Sequence, residues 1–392
     1  MTQIEQLQRL TRIVGTVVLL ISIAIGFTNW AQFFRSYLFG YMYCIGISLG
    51  CMVILCIYHL AGGAWGAVTR RIMEAAIRVL PIVALMFIPV AVGIHSLYEW
   101  SHSDVVNADE ALKQKALYLN IPFFLVRAAI YFIIWIMLSL VFNRLSLKQD
   151  QTQDPAVPGR LEALGGAGLV LYGLTMTFAS IDWMMSLDPH WYSTIFGLLV
   201  IGGQVLSAFA FIIAIAAWLS RFPPFSEIIG PEQFHDLGKL LLAFVMIWAY
   251  LAFSQYLIIY SGNLPEENRW YIHRLQHGWR YASILLIVGH FALPFILLLS
   301  KSLKKNPRTL GAVAIGVLVM RLVDLFWLIG PDIQRDQQGF FVHWLDLFLP
   351  IGLGSLYLSF YLNELRKLPF VVLYDPNLPE KNVVLSEAPK HA

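Results

Sequence analysis

The stretch Tyr37–His59, YLFGYMYCIGISLGCMVILCIYH, decides the fold class, because it runs without a single Asp, Glu, Lys or Arg. About 20 apolar residues at 1.5 Å rise per residue cross the roughly 30 Å hydrocarbon core of a bilayer as a helix. Reading outward from it, comparable runs lie at about 12–28, 76–98, 120–142, 160–183, 191–218, 236–260, 279–300, 308–329 and 340–364. With 37–59 they predict an all-α polytopic membrane protein of ten transmembrane helices. Composition agrees: 58% of the 392 residues are hydrophobic and 13% charged, where a soluble chain carries about 25% charged residues. The bilayer must therefore be the solvent.

The same numbers exclude other classes. A net charge of +3, with no Lys/Arg cluster interleaved with aromatics, argues against nucleic acid. Cys44, Cys51 and Cys56 share one apolar run, with spacing that suits neither a metal site nor a disulfide framework. They read as buried apolar filler. The apolar run at Ile13–Phe27 has no small-residue cleavage site after it, so it reads as a retained helix.

Orientation follows the distribution of Lys and Arg. Eighteen of the 27 fall in the segments that include both termini, from Arg9 and Arg12 through Arg70, Arg71 and Arg78 to Arg366 and Lys367. Seven (Arg35, Lys113, Lys115, Arg269, Arg274, Arg280 and Arg335) fall in the opposite segments. Both termini are expected in the cytoplasm. Weak similarity between Gly93–Ser101 and Phe253–Ser261, and between Asp182-Trp183 and Asp324 with Trp327, suggests a parallel repeat of four-helix bundles. The expected organisation is residues 1–35 with peripheral helix 1, a first bundle at 36–184, a second at 185–330, and peripheral helix 10 with a surface or disordered tail at 331–392.

Ionisable residues inside the apolar runs carry the functional expectations, because each is costly at that depth. His95 and Glu99 lie four apart at the outer end of the third run and share a face on a continuous helix. Arg127 lies roughly 10 Å into the fourth run, and Asp182 closes the fifth at the same level. Together they form a candidate pocket for a quinone headgroup or a proton; the plainer reading is a structural Arg127 ion pair. In the second bundle His290, Arg321, Asp324, Gln204 and Gln255 form a candidate proton relay. Here too a plainer reading stands: Arg321 and Asp324 neutralise each other, and His290 caps a carbonyl freed by Pro294. Of His59, His95, His290 and His343, only His95 and His343 match in depth as a bis-His haem pair requires, and the tenth run is expected outside the bundle. With no metal-spaced His/Cys cluster either, no covalent or metal-ligated cofactor is expected. The loop Asn263–Arg280 reads either as a docking surface for an extrinsic partner or as a solvated loop with its Trp residues in the interface belt. In Ser180–Ser193, SIDWMMSLDPHWYS, Trp183, Trp191 and Tyr192 read as interface-belt anchors, with Asp188 and His190 at water level.

Three blocks carry a resemblance: TFASIDWMMSLDPHWYSTIFG (177–197), FHDLGKLLLAFVMIWAYLAFSQYLIIYSGNLPEE (234–267) and HGWRYASILLIVGHFALPFILLLS (277–300). They resemble the ActF-type integral membrane subunits of bacterial alternative complex III, related to the ActC type and more distantly to NrfD-like polysulfide reductase anchors. The resemblance implies a multi-subunit menaquinol oxidoreductase of the bacterial cytoplasmic membrane that delivers electrons to cytochrome c or a copper protein. It implies as partners an ActC-like paralogue, extrinsic iron–sulfur and c-type haem subunits, lipids and quinone. It also implies that quinol is oxidised beside the paralogue, while this chain has no redox centre and assists structure or proton translocation. A secondary transporter with helix-breaking Pro89 and Pro294, and a pure scaffold, are the alternatives.

Overall fold

A computed structural model describes residues 2–152, 154–223, 225–276, 278–333, 339–369, 372 and 374–378. Arg335, Lys381 and Lys390, counted above for orientation, and His277 lie outside the described residues. All regular structure among the described residues is helical. Among the described residues, ten helices are long and apolar enough to cross a membrane: span 1 Gln3–Gly26, span 2 Trp30–Ala61, span 3 Ala64–Val92, span 4 Ile121–Gln151, span 5 Ala156–Leu187, span 6 Phe196–Leu219, span 7 Pro231–Gly262, span 8 Trp279–Leu299, span 9 Pro307–Ile333 and span 10 Trp344–Lys367. The chain is an all-α, multi-pass membrane protein.

Spans 2 to 5 pack as one ring, 2 on 3, 3 on 4, 4 on 5 and 5 on 2; spans 6 to 9 pack as another in the same order. The rings meet where span 2 crosses span 6. These are the most enclosed helices, 78% and 83% buried over their apolar windows against 17% for span 1. Glycine makes that crossing close: a Cβ on Gly50 would run into the Gln204 carbonyl and the Ala208 side chain, and Gly46 faces the Gln204 side chain. Hydrophobicity cannot hold helices together in lipid, so small residues that let backbones approach supply the packing contacts instead. Span 10 packs between span 1 and spans 2 and 3, with the Tyr357 hydroxyl 2.9 Å from Ser48 Oγ.

Several boundaries depart from expectation for identifiable reasons. Span 3 begins at Ala64, not near 76, because Arg70, Arg71 and Glu74 sit on a buried amphipathic helix, Ala64–Arg78. Low hydropathy hides that helix from a search for apolar runs. Further on, span 3 is broken into short pieces, Leu80–Leu85 and Ile88–Val92, each with a proline near its start, and one more turn, Ile94–Leu97, follows it. Proline removes a backbone donor and clashes with the preceding turn. Part of the tail expected to be surface-lying or disordered lies against the helices. Tyr58 Oη donates to Asp375 Oδ2 at 2.6 Å, Arg70 Nη1 donates to the same oxygen at 2.8 Å, and Gly63 N donates to Asn377 Oδ1 at 3.2 Å, so residues 374–378 fold back onto the Lys/Arg-rich face.

Candidate functional site: two buried polar networks

At the face poor in Lys and Arg, Asp182 ends the helix of span 5 fully buried. Arg127 meets it with two bonds, Nε to Oδ2 at 2.9 Å and Nη2 to Oδ1 at 2.9 Å, and the Tyr131 hydroxyl donates to Oδ2 at 2.9 Å. Arg127 also donates to the Tyr118 carbonyl at 3.0 Å and lies 3.9 Å over the Tyr118 ring. Fork-to-fork pairing of this kind is strong and directional, and it offsets much of the cost of burying two charges.

The expected quartet is not assembled. His95 and Glu99 are exposed, and the continuous helix that would have set them on one face does not exist. Tyr98 is extended (φ −122°, ψ 120°), and Glu99 opens a short 3-10 turn. His95 instead accepts His102 Nε2 on its carbonyl at 2.8 Å. The side chain that reaches the Asp182 neighbourhood from this segment is Tyr98, whose hydroxyl donates to the Trp183 carbonyl at 3.0 Å.

From Arg127 a file of polar side chains follows span 4 to the opposite face: Tyr131, Trp135, Ser139, Asn143, Ser146 and Asp150. Steps of three or four residues keep them on one helical face, and about 35 Å separates the ends. Trp135 Nε1 donates to Thr175 Oγ1 at 2.8 Å, Ser139 Oγ to the Ile77 carbonyl at 2.8 Å, and Asn143 Nδ2 to the Ser139 carbonyl at 2.8 Å. Ser146 accepts from Arg71 Nη1 at 2.8 Å. The file ends in a second ionic cluster. Arg70 and Arg71 both pair with Glu74, at 2.8 and 2.5 Å, while Arg71 pairs with Asp150 and Arg70 with Asp375. In sequence this cluster is hidden because Arg70 and Arg71 fall between two apolar runs. The signal was present in the four-residue spacing of Arg70 and Glu74 and in the polar periodicity of span 4.

The second bundle holds a smaller network at mid-depth. Arg321 and Asp324 pair on span 9, Trp248 Nε1 of span 7 donates to Asp324 Oδ2 at 3.2 Å, and the Trp248 ring meets the His290 ring edge-on at 4.4 Å. His290 is fully buried, and neither ring nitrogen has a hydrogen-bond partner among the described residues. It therefore caps no carbonyl, which removes the plainer expectation for it. It lies in a π-helical turn, Leu286–Ala292, just before Pro294; such turns cluster at functional sites. Gln204 joins from span 6, accepting the Tyr172 hydroxyl at 2.6 Å, and the Arg321 guanidinium packs on the adjoining Gly203. Gln255 is set apart from these residues: it is buried beside Tyr271, two helical turns, or about 10 Å, along span 7 from Trp248. Trp248, which couples His290 to Asp324, had no signal in sequence beyond being one of many aromatics.

The loops of this face are interlocked rather than free. Trp183 and Trp191 are buried, not belt anchors, and Trp191 stacks on Trp270 at 4.6 Å. Asp188 is buried against Arg269, not at water level. His190 Nε2 lies 2.5 Å from Asp109 Oδ2, and Lys115 donates to the Pro189 carbonyl at 2.6 Å. In the expected docking loop, Arg274 is buried in a two-bond pair with Asp332, at 3.1 and 2.7 Å. Ile272, His273 and Leu275 remain on the surface.

Fold and networks together define a multi-pass all-α membrane protein with ionisable groups buried at two faces and at mid-depth. No protein-family model matches the chain, and no curated protein matches it.

Proposed function

We propose that this chain is a proton-handling membrane subunit of a quinol:electron-acceptor oxidoreductase of the alternative complex III type. It sits in the bacterial cytoplasmic membrane with both termini cytoplasmic. The observation that carries this reading is the span 4 file, which runs from Arg127 and Asp182 to Arg71, Glu74 and Asp150. Buried polar groups are expensive along a transmembrane helix, and a file of them from one face to the other supplies hydrogen-bonding stations across the whole core. The His290–Trp248–Asp324–Arg321 group supplies a titratable station at mid-depth in the other bundle. Trp135 sets the control point, because an indole only donates. Protons pass Tyr131 to Ser139 only when water joins them.

Asp182 has both oxygens engaged by Arg127, and His95 lies away from it on the surface. Both facts favour quinol oxidation on an ActC-like paralogue over oxidation in this chain. Electron transfer then belongs to extrinsic iron–sulfur and c-type haem subunits that deliver to cytochrome c or a copper protein. The scaffold reading has one observation in its favour, the same saturated Arg127–Asp182 pair.

Two measurements test the proposal. The affinity-tagged chain is expected to co-purify from native membranes with haem and iron–sulfur proteins; solute transport by the chain alone in liposomes would instead make it a transporter. In proteoliposomes of the intact complex, Asp182→Asn, His290→Phe and Asp324→Asn are expected to lower protons moved per electron while quinol still binds. Wild-type ratios in all three would leave the scaffold.

A further inference from the structure

On the Lys/Arg-rich face, the start of span 1 and the end of span 10 enclose a groove of about 510 Å3 lined by Glu5, Gln6, Gln8, Arg9, Arg12 and Arg366. Three guanidiniums and one carboxylate leave it with an excess positive charge. Arg366 is held in place, paired with Glu5 and donating to Gln8 Oε1 at 2.8 Å. Arg9 and Arg12 are exposed, and neither makes an ion pair or hydrogen bond among the described residues. They lie three residues apart and so share a helical face. Span 1 turns apolar beyond them: Ile13 and Leu20, four and eleven residues after Arg9, and Ile23, eleven after Arg12, are exposed and lie on the same helical face.

A charged patch at the end of a transmembrane helix, directly above an exposed apolar stripe, has the two-part chemistry of a phospholipid. Guanidinium recognises a phosphodiester through paired N–H donors and remains charged at any physiological pH. We infer that this groove binds the headgroup of an anionic phospholipid whose acyl chain lies along Ile13, Leu20 and Ile23. Such a lipid has a structural consequence. Span 1 touches the rest of the protein mainly through span 10, with polar contacts from Gln8 to Asn363 and Ser359 at 3.4 and 3.1 Å. A phosphate held between Arg9 and Arg12 on one helix and Arg366 on the other staples the outermost helix to the bundle. Nothing in this inference depends on proton handling or on quinol.

The full chain is reconstituted in phosphatidylcholine nanodiscs with and without phosphatidylglycerol, and the lipid retained after detergent transfer is read by native mass spectrometry. Wild type is expected to retain phosphatidylglycerol in preference to phosphatidylcholine and to unfold at a higher temperature with it. Arg9→Gln and Arg12→Gln are each expected to cut the enrichment about fivefold, the equivalent of about 1 kcal/mol per arginine at a membrane surface. Arg9→Lys with Arg12→Lys keeps the charge and is expected to retain part of the preference. Unchanged gel filtration and tryptophan fluorescence of the Gln variants in phosphatidylcholine establish that they fold. Undiminished enrichment in the Arg9→Gln/Arg12→Gln double variant overturns the site. Equal stabilisation by inorganic phosphate in phosphatidylcholine alone makes it a free-anion site and overturns the lipid. Absence of any lipid preference in wild type overturns it as well, and leaves the patch as a surface for an acidic protein.

Discussion

Asp182 shows how far a single residue can be read. Its depth and its nearness to Arg127 are legible in sequence, since both lie at the same level of neighbouring apolar runs. Its geometry is not, because pairing depends on how spans 4 and 5 rotate about their axes. That geometry makes a stability prediction. Asp182→Ala leaves the Arg127 guanidinium buried without its partner, and removing one member of a buried pair costs about 3–5 kcal/mol. Arg127→Met combined with the same Asp182→Ala removes both charges and is expected to recover most of that loss. Thermal unfolding of the four variants in a double-mutant cycle measures the coupling, and additive losses would mean that the two groups do not interact. His290 tells the opposite story. Its histidine identity and burial suggested a relay, but only the packing reveals that the imidazole meets Trp248 and no carbonyl.

At the scale of elements, helix existence followed from hydropathy, while helix contacts followed from small residues whose partners no single sequence names. Gly50 and Gly316 separate the two kinds of glycine. A Cβ at position 50 meets the Gln204 carbonyl, whereas one at 316 meets nothing within 4 Å. Gly50→Val is therefore expected to force spans 2 and 6 apart and to lower the unfolding temperature sharply. Gly316→Ala is expected to be neutral or to stabilise by about 0.5–1 kcal/mol, the usual gain when alanine replaces an unconstrained helical glycine. Equal shifts in the two variants would contradict close packing at the 2–6 crossing. Span 3 is the element sequence read least well. Its buried Arg70–Glu74 segment looks like a polar loop, and the extended backbone at Tyr98 takes His95 and Glu99 off the common face that simple periodicity assigned to them.

For the whole molecule, the loops at the Lys/Arg-poor face form a clasp between the two bundles. His190 joins Asp109 across it, and that hydrogen bond holds the Asp109 carboxyl below its ordinary range. A depressed carboxyl contributes stability above its unfolded pKa, and that contribution is lost as pH falls through the lower folded value. The clasp is therefore expected to hold at neutral pH and to loosen below about pH 4, the ordinary aspartate range. Limited proteolysis or amide exchange at residues 103–115 across an acid titration reads this directly. Asp109→Asn is expected to weaken the acid response; a profile identical to wild type would place the titrating group elsewhere.

Sequence by itself determined that this protein lives in a bilayer as ten helices, because the cost of exposing a polar backbone to lipid permits no other answer for such apolar runs. It also marked Arg127, Asp182, His290, Arg321 and Asp324 as residues that need a reason to be where they are. Tertiary structure alone decided their partners. Helix rotation, the close glycine crossing of spans 2 and 6 and the broken end of span 3 paired Asp182 with Arg127, excluded His95 and Glu99, and brought Trp248 between His290 and Asp324. Hydropathy is a property of each segment, but a hydrogen bond in lipid requires two segments to meet at a set depth and angle, and that information is held only by the packed bundle.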